Sequence, residues 1–553
     1  MNNFIDFTGK KAAIFLILLS LFLFIPGFFT LPAVDRDESR YAQASKQMIE
    51  SSNFIDIRFQ DEPRHKKPVG IYWMQSIAAN LFDDKNKPRV WAYRIPSLIG
   101  AIVAVLLTWV AGTYLFNSRA GMLSGLMVAG CLMVGYEARQ AKTDAVLLAS
   151  IMAAQTILAI AWVSWQKKEK LPSWMAYLFW MSVGLSALVK GPIILIICGG
   201  AVIFLGVWKR SWCWLKTLRP ISGVFITLAI ILPWFLAIGV ESQGAFFKEA
   251  VGHDLLKKVY SGQESHGAPP GYYIITFWAT FWPFALLAGF SARLIWHQRE
   301  NTSVAFCIAW VLPTWLIFEV IITKLPHYML PLFPAVAILT SGMISDKNMW
   351  STEKRGVIEW ISIVSTGIVT LGMMVVLIIG ASLIGDNFSI WSIVGLAGLV
   401  WVLILLCRIT MDRTLTVRLF PQILLATIIF TGSCFSGFFP SLKSLWISPR
   451  IAEVVSEYRR ENCEDAVLHA VGYHEPSLIF QVGTDTVLTN SEGAVAALEM
   501  KPNCTVAVIG DRDLEHFNKL VVKKGLNLHQ LAEIQGFNYS RGQKMMLRLF
   551  SGS

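Results

Sequence analysis

Long apolar runs alternate with short polar loops over most of the chain. A helix rises about 1.5 Å per residue, so about 20 apolar residues cross the hydrocarbon core of a bilayer. Thirteen runs approach or exceed that length, near residues 11–32, 93–115, 120–136, 144–165, 173–189, 191–208, 220–240, 271–295, 302–322, 327–345, 356–385, 388–407 and 417–437. The pattern predicts a polytopic α-helical membrane protein of about 13 transmembrane helices. The tightest connection is "LVKGP", where Lys190, Gly191 and Pro192 must turn the chain between two crossings. The first run is longer than the apolar region of a secretory signal, and "GFFTLPAVDRDE" offers no small-x-small cleavage site, so it is read as a retained helix.

After residue 437 the pattern changes. "DAVLHAVGY", "PSLIFQV", "DTVLTN" and "CTVAVIG" read as short strands, and "SEGAVAALEM" and "DLEHFNKLVVKKG" as helices. Two domains are expected: a transmembrane domain over 1–437, including a long first loop over 33–92, and an α/β domain over 438–553. With the N-terminus inside, and the first loop and tail set aside, 18 Lys and Arg fall inside and 7 outside, the bias that orients membrane proteins. An odd number of crossings then puts the α/β domain on the outer face, beside the first loop. There Cys463 and Cys504 could pair, although sequence separation leaves their approach open.

Composition agrees with the pattern. Of 553 residues, 54% are hydrophobic and 15% charged, and the mean hydropathy is +0.53. The formal net charge of +11 marks no nucleic-acid partner, because the basic residues form no binding stripe and many fall in short loops between apolar runs.

The charges on the outer face change the picture. "DRDESRYA" follows the first helix, "RHKKPVGIYW" lies in the same loop, and "EARQAKTD", "KGP", "SHGAPPGYY" and "TKLPHYMLPLFP" follow along the chain. Singly, each reads as snorkelling charge or a surface turn, and a lone His266 as a surface residue. Together they place ionisable groups beside Gly, Pro or aromatic residues in six separate segments, which marks a site. The cations Arg40, Lys67, Arg139, Lys142, Lys190 and Lys324 suit a phosphate-bearing substrate. The carboxylates Asp37, Glu38 and Asp144 could orient hydroxyls, activate a nucleophile or hold a divalent metal. Tyr72, Trp73, Tyr272 and Tyr273 suit an amphiphile at the interface. A lipid-phosphate transporter would also use a cationic cavity, but internal repeats and midplane charges are not visible.

In this order the motifs resemble the C-fold membrane glycosyltransferases, closest to the lipid A aminoarabinose transferase family within the protein-mannosyltransferase superfamily. The resemblance spans residues 10–340 by motif and the remainder by topology. It implies inverting transfer of a sugar from a polyprenyl phosphate to an acceptor at the periplasmic face. In the aminoarabinose enzymes the donor is undecaprenyl phosphate–aminoarabinose and the acceptor is lipid A; mannose or galacturonic acid transferred to a glycan or protein is the alternative. By the resemblance Asp37, Asp144 and Lys67 are the catalytic positions, with Lys67 near the carrier phosphate. His266 and Tyr328 line the site, beside Glu38, Arg40, Tyr41, Arg139, Lys142, Lys190 and Lys324.

One departure stands out. The family typically reads "EKP" where this chain reads "KKP", so Lys66 replaces a carboxylate that would share a divalent metal with Asp37. Exchanging a ligand for an ammonium removes an oxygen and adds repulsion.

Overall fold

The computed structural model describes residues 8–84, 88–250, 252, 267–345, 356–412 and 419–552. Among the described residues eight helices are long and apolar enough to cross a membrane: Val90–Leu115, Asp144–Gln166, Pro220–Glu241, Thr302–Val320, Pro326–Ser345, Val357–Ile384, Ile390–Met411 and Phe420–Ser441. Of the other five expected runs, 173–189 folds as one continuous helix, Ser173–Lys190, and the remaining four as shorter or interrupted helices. In chain order the first elements are α1 (Gly9–Phe24), α2 (Asp37–Ser51), the small hairpin β1 (Arg58–Phe59) and β2 (Glu62–Pro63), and α3 (Gly70–Phe82). They are followed by α4 (Val90–Leu115), α5 (Ser118–Ala129), α6 (Leu132–Glu137), α7 (Asp144–Gln166) and α8 (Ser173–Lys190).

The interruptions have local causes. The run at 120–136 breaks between α5 and α6 at Gly130 and Cys131, and the run at 271–295 breaks around Trp282 and Pro283. Proline has no N–H to continue a helical ladder. The two breaks meet: Leu132 N donates to the Trp282 carbonyl at 3.2 Å, and Cys131 Sγ to the Thr280 carbonyl at 3.2 Å. Each break thus helps satisfy backbone groups that the other leaves open, as an apolar environment requires.

Glycines set two close approaches. A Cβ on Gly70 would lie 2.7 Å from the Leu188 carbonyl oxygen, so α3 presses against the end of α8. A Cβ on Gly100 would lie 2.7 Å from the Ala145 carbonyl oxygen, which seats α4 against the start of α7.

Beyond the last membrane helix, which ends at Ser441 rather than 437, lies a five-stranded sheet. Its strands are β3 (Val467–Val471), β4 (Val487–Thr489), β5 (Thr505–Gly510), β6 (Leu528–Asn538) and β7 (Gln543–Gly552), in the order β4-β3-β5-β7-β6. β4, β3 and β5 are parallel; β7 runs antiparallel to β5 and β6. Alternation along β5 sends Val506 and Val508 to a core shared with helix Ile447–Glu461, and Ala507 and Ile509 to one shared with helices Ser491–Met500 and Leu514–Lys524. Cys463 and Cys504 are disulfide-bonded, with Cα atoms 5.4 Å apart.

One expectation for this domain needs correction. "PSLIFQV" is a helix, Pro476–Val482, not a strand. A seven-residue apolar run carries no decisive periodicity, and here Pro476 opens the first turn while Asp35 of the membrane domain accepts from Ser477 N at 2.9 Å. The β6–β7 hairpin was not expected at all. The domain rests on the first loop: Gln43 Nε2 donates to Thr484 Oγ1 at 2.7 Å, Gln60 Nε2 to the Thr486 carbonyl at 2.6 Å, and Phe480 meets Tyr93 edge to face.

Candidate active site

The segment after α1 presents its two neighbouring acids to different surroundings. Glu38 turns inward and is 1% exposed. Its oxygens accept from Arg94 Nε and Nη2 at 2.7 and 2.9 Å, from Val34 N at 2.8 Å and from Ala141 N at 2.8 Å. Arg94 also donates to the carbonyls of Phe28, Leu31 and Pro32. Glu38 therefore staples the first loop to α4 and to the 138–143 turn. Expected as a substrate contact, it already accepts from four protein donors here, and a carboxylate so engaged has little capacity left for a ligand.

Asp37 faces the other way, 54% exposed, with Arg40 Nη1 at 3.9 Å. Its charge acts on Tyr41, Arg64, Tyr136 and Lys142. Tyr41 is buried beneath Arg64, whose guanidinium carbon lies 5.2 Å from the ring centre. Burial first, and Tyr72 next, push its hydroxyl well above the usual tyrosine range, so it is a neutral polar group.

Next to this segment lies a cavity of about 290 Å³ with a polar head and an apolar body. Lys66, Lys67, Asp144, Lys190, Thr323, His327 and Tyr328 line the head; Phe235, Phe246, Phe247, Phe318 and Ile321 line the body. Asp144 opens α7 and Lys190 closes α8, and their side chains meet at 2.6 Å. His327 Nε2 lies 3.8 Å from the same Asp144 oxygen, and the Lys190 ammonium lies 5.5 Å from the Tyr328 ring centre. The α3–α8 contact at Gly70 carries Lys66 and Lys67 to this head. Among the described residues, Lys66, Lys67 and Lys190 line this cavity together with one carboxylate, Asp144.

The remaining expected residues are placed elsewhere. Arg139 is buried over the Phe435 ring and donates to the carbonyls of Pro26, Gly135 and Leu23, so it fastens the end of α1. Lys324 donates to the carbonyls of Ala268 and Ile321 at 2.9 and 2.6 Å, tethering the strand-like bridge at Gly267 and Thr323. Both therefore hold backbone carbonyls in this structure. Lys142 pairs with Glu137 at 3.0 Å, at the edge of the charged cluster. Arg40 and Tyr41 stay with Asp37, and His266 lies outside the described residues. Sequence reasoning missed His327, which sits between the Lys324 and Tyr328 it did select; its nearness to "KLP" was the available signal. It also missed Asp35, at the seam between the domains.

The described residues around Asp37 and Asp144 pair those carboxylates with cations. Among the described residues no three His, Cys, Asp or Glu side chains converge as ligands. Asp37 has Arg40 for its ionic neighbour, Asp144 has Lys190, and the cavity carries Lys66 beside Lys67. No chemical step is routed through a metal.

Comparisons with known proteins follow the same lines. The family described as dolichyl-phosphate-mannose-protein mannosyltransferase matches residues 66–236. An undecaprenyl phosphate-α-4-amino-4-deoxy-L-arabinose arabinosyl transferase of Erwinia tasmaniensis is 26% identical over 421 residues, covering 72% of this chain and 74% of that one. The enzyme of the same name from Yersinia pestis is 27% identical over 389 residues, 67% of this chain and 66% of its own. With that from an Enterobacter species, 25% identical, the chain spans about half of the relative's length, 54%. The crystal structure of ArnT from Cupriavidus metallidurans bound to undecaprenyl phosphate superposes with a TM-score of 0.72 at 16% identity, covering 98% of both chains, and so shares the fold.

Proposed function

We propose that this chain is an ArnT-like member of the protein-mannosyltransferase superfamily and acts as an inverting glycosyltransferase. It moves a sugar, 4-amino-4-deoxy-L-arabinose by analogy with its relatives, from undecaprenyl phosphate to lipid A at the periplasmic face of the inner membrane. The observation that carries this reading is the two-part cavity. Lys66, Lys67 and Lys190 at its head suit a phosphate, and the phenylalanine and isoleucine walls suit a polyprenyl tail.

In the reaction the acceptor oxygen attacks the anomeric carbon as its bond to the carrier phosphate breaks. The phosphate leaves with the electron pair, and preorganised ammonium groups stabilise the charge that develops on it. Asp144, 2.6 Å from the Lys190 ammonium, holds that group in the cavity wall. If the acceptor is a phosphate it arrives ionised and needs no strong base. If it is a hydroxyl, Asp37, exposed beside the charged cluster, takes the proton.

The test is mass spectrometry of lipid A from a transferase-deficient host expressing this chain or its Asp37→Asn or Lys67→Ala form. The wild type adds an aminopentose mass to lipid A, and Lys67→Ala abolishes the addition. If correctly inserted wild-type protein adds nothing to lipid A, the proposed donor and acceptor pairing is wrong.

A further inference from the structure

The α/β domain has a second cavity, of about 240 Å³, remote in sequence from the membrane cavity and lined by different residues. Its floor is the carboxyl end of β3 and β5. The chain leaves β3 for β4 on one side, then returns across β3 to form β5 on the other, so the cavity lies where successive connections diverge. In open parallel sheets that crevice is where ligands bind, because diverging connections leave the strand ends uncovered.

The residues there suit a particular ligand chemistry. Gly472, with φ +81°, and Gly510 lie at the ends of adjacent strands, and a Cβ on Gly472 would come within 2.7 Å of Asp513 Oδ2. The bare backbone leaves a flat floor. Arg512, Arg541 and Lys544 rim the cavity, facing Asp511 and Asp513. Arg512 donates to Gln543 Oε1 at 3.1 Å, which fixes its guanidinium across the mouth. Guanidinium forks recognise phosphate, and aspartates accept from hydroxyls.

The turn that supplies Arg541 has its other side on the membrane domain. The Tyr539 hydroxyl accepts from Asp35 N at 2.6 Å, and the Ser540 carbonyl accepts from Arg36 Nη2 at 3.0 Å. Glu475 lies 3.9 Å from Arg541 and 3.8 Å from Arg36. A ligand in this cavity would therefore sit against the turn that holds the residues just before Asp37.

We infer that the cleft at the carboxyl ends of β3 and β5 is a binding site for a phosphorylated sugar, separate from the membrane cavity. The inference stands on the geometry of the α/β domain and does not depend on the transfer reaction proposed above.

The test uses the full chain in nanodiscs of zwitterionic lipid, with hydrogen exchange followed at residues 510–514 and 541–546. Glucose 1-phosphate is expected to protect both segments, and glucose or inorganic phosphate alone to protect them more weakly. The exposed double variant Arg512→Ala/Lys544→Ala, checked for an unchanged thermal midpoint, should weaken glucose 1-phosphate binding about tenfold or more. Protection in nanodiscs carrying lipid A, with no soluble ligand, assigns the site to a lipid headgroup; protection by glucose 1-phosphate alone assigns it to a free sugar phosphate. Absence of protection by either ligand, or equal protection in the double variant, overturns the inference.

Discussion

Asp144 and Lys190, 46 residues apart, meet at 2.6 Å because one begins α7 and the other ends α8. Each sits at the helix end whose dipole suits its charge: the carboxylate at an N-terminus, the ammonium at a C-terminus. The pair is a fixed point in the wall of the membrane cavity, and the ammonium has donors left for a ligand.

Removing either partner should stop transfer by different routes. Lys190→Ala deletes a positive charge from the phosphate head and should lower kcat about 100-fold or more, as loss of a preorganised donor to developing charge does. Asp144→Asn leaves the lysine in place but frees its ammonium to wander, and should cost less. Steady-state transfer assays on purified protein in nanodiscs would separate the two. Equal losses would mean that the aspartate does more than hold the lysine.

Lys66 lies in the cavity beside Lys67. Its ammonium should contribute to donor binding more than to chemistry, so Lys66→Ala should raise KM for the lipid donor about tenfold with a smaller change in kcat. Among the described residues no three potential metal ligands converge, and EDTA is expected to leave wild-type transfer unchanged. Loss of transfer in EDTA, restored by a divalent cation, would contradict this view of the cavity.

The Glu38–Arg94 pair should behave as structure. Replacing Arg94 with Met leaves a buried carboxylate without its counter-charge, a change that costs about 3–5 kcal/mol in comparable pairs. The expected result is a large fall in the thermal midpoint and in membrane yield. A stable Arg94→Met protein that is catalytically dead would instead place the pair in the chemistry.

Asp35 should make domain docking pH-dependent. Burial, chiefly, pushes its carboxyl up to about 7, with Glu475 adding to the rise, while the bonds from Ser477 and the charge of Arg36 oppose it. The folded protein thus holds the proton more tightly than the unfolded chain. Stability from this group falls as pH rises from about 4 to about 7 and is level above that. Asp35→Asn should flatten this part of the profile while keeping an acceptor for Ser477 N. Thermal unfolding of both proteins across this range checks it: parallel curves would exclude Asp35 as the titrating group.

The fold was legible where periodicity is unambiguous. Runs such as Val357–Ile384 and Ile390–Met411 need only length and hydropathy to declare themselves, and "CTVAVIG", apolar on both faces, is a central strand covered on both sides. The breaks near Gly130 and Pro283 were harder to see, because the apolar pattern continues across them and part of their backbone is satisfied by contacts between the two breaks. "PSLIFQV" was misread for a related reason: what makes it a helix includes Asp35, more than 400 residues away.

For the site, the sequence by itself determined that cations and carboxylates recur in the segments assigned to one end of a helical membrane domain, because charge is costly within apolar runs and shows plainly against them. It did not determine which charges face a ligand. Lys190 and Lys324 both follow apolar helices in Pro- and Gly-rich contexts, yet one points into the cavity and the other binds two carbonyls. Arg40 and Arg139 look equally available, yet Arg139 is spent fastening α1. Glu38 differs from Asp37 only in the face of α2 it occupies, and that face meets Arg94. Residue type sets what a side chain can bond; only packing decides whether the protein has already used that bond.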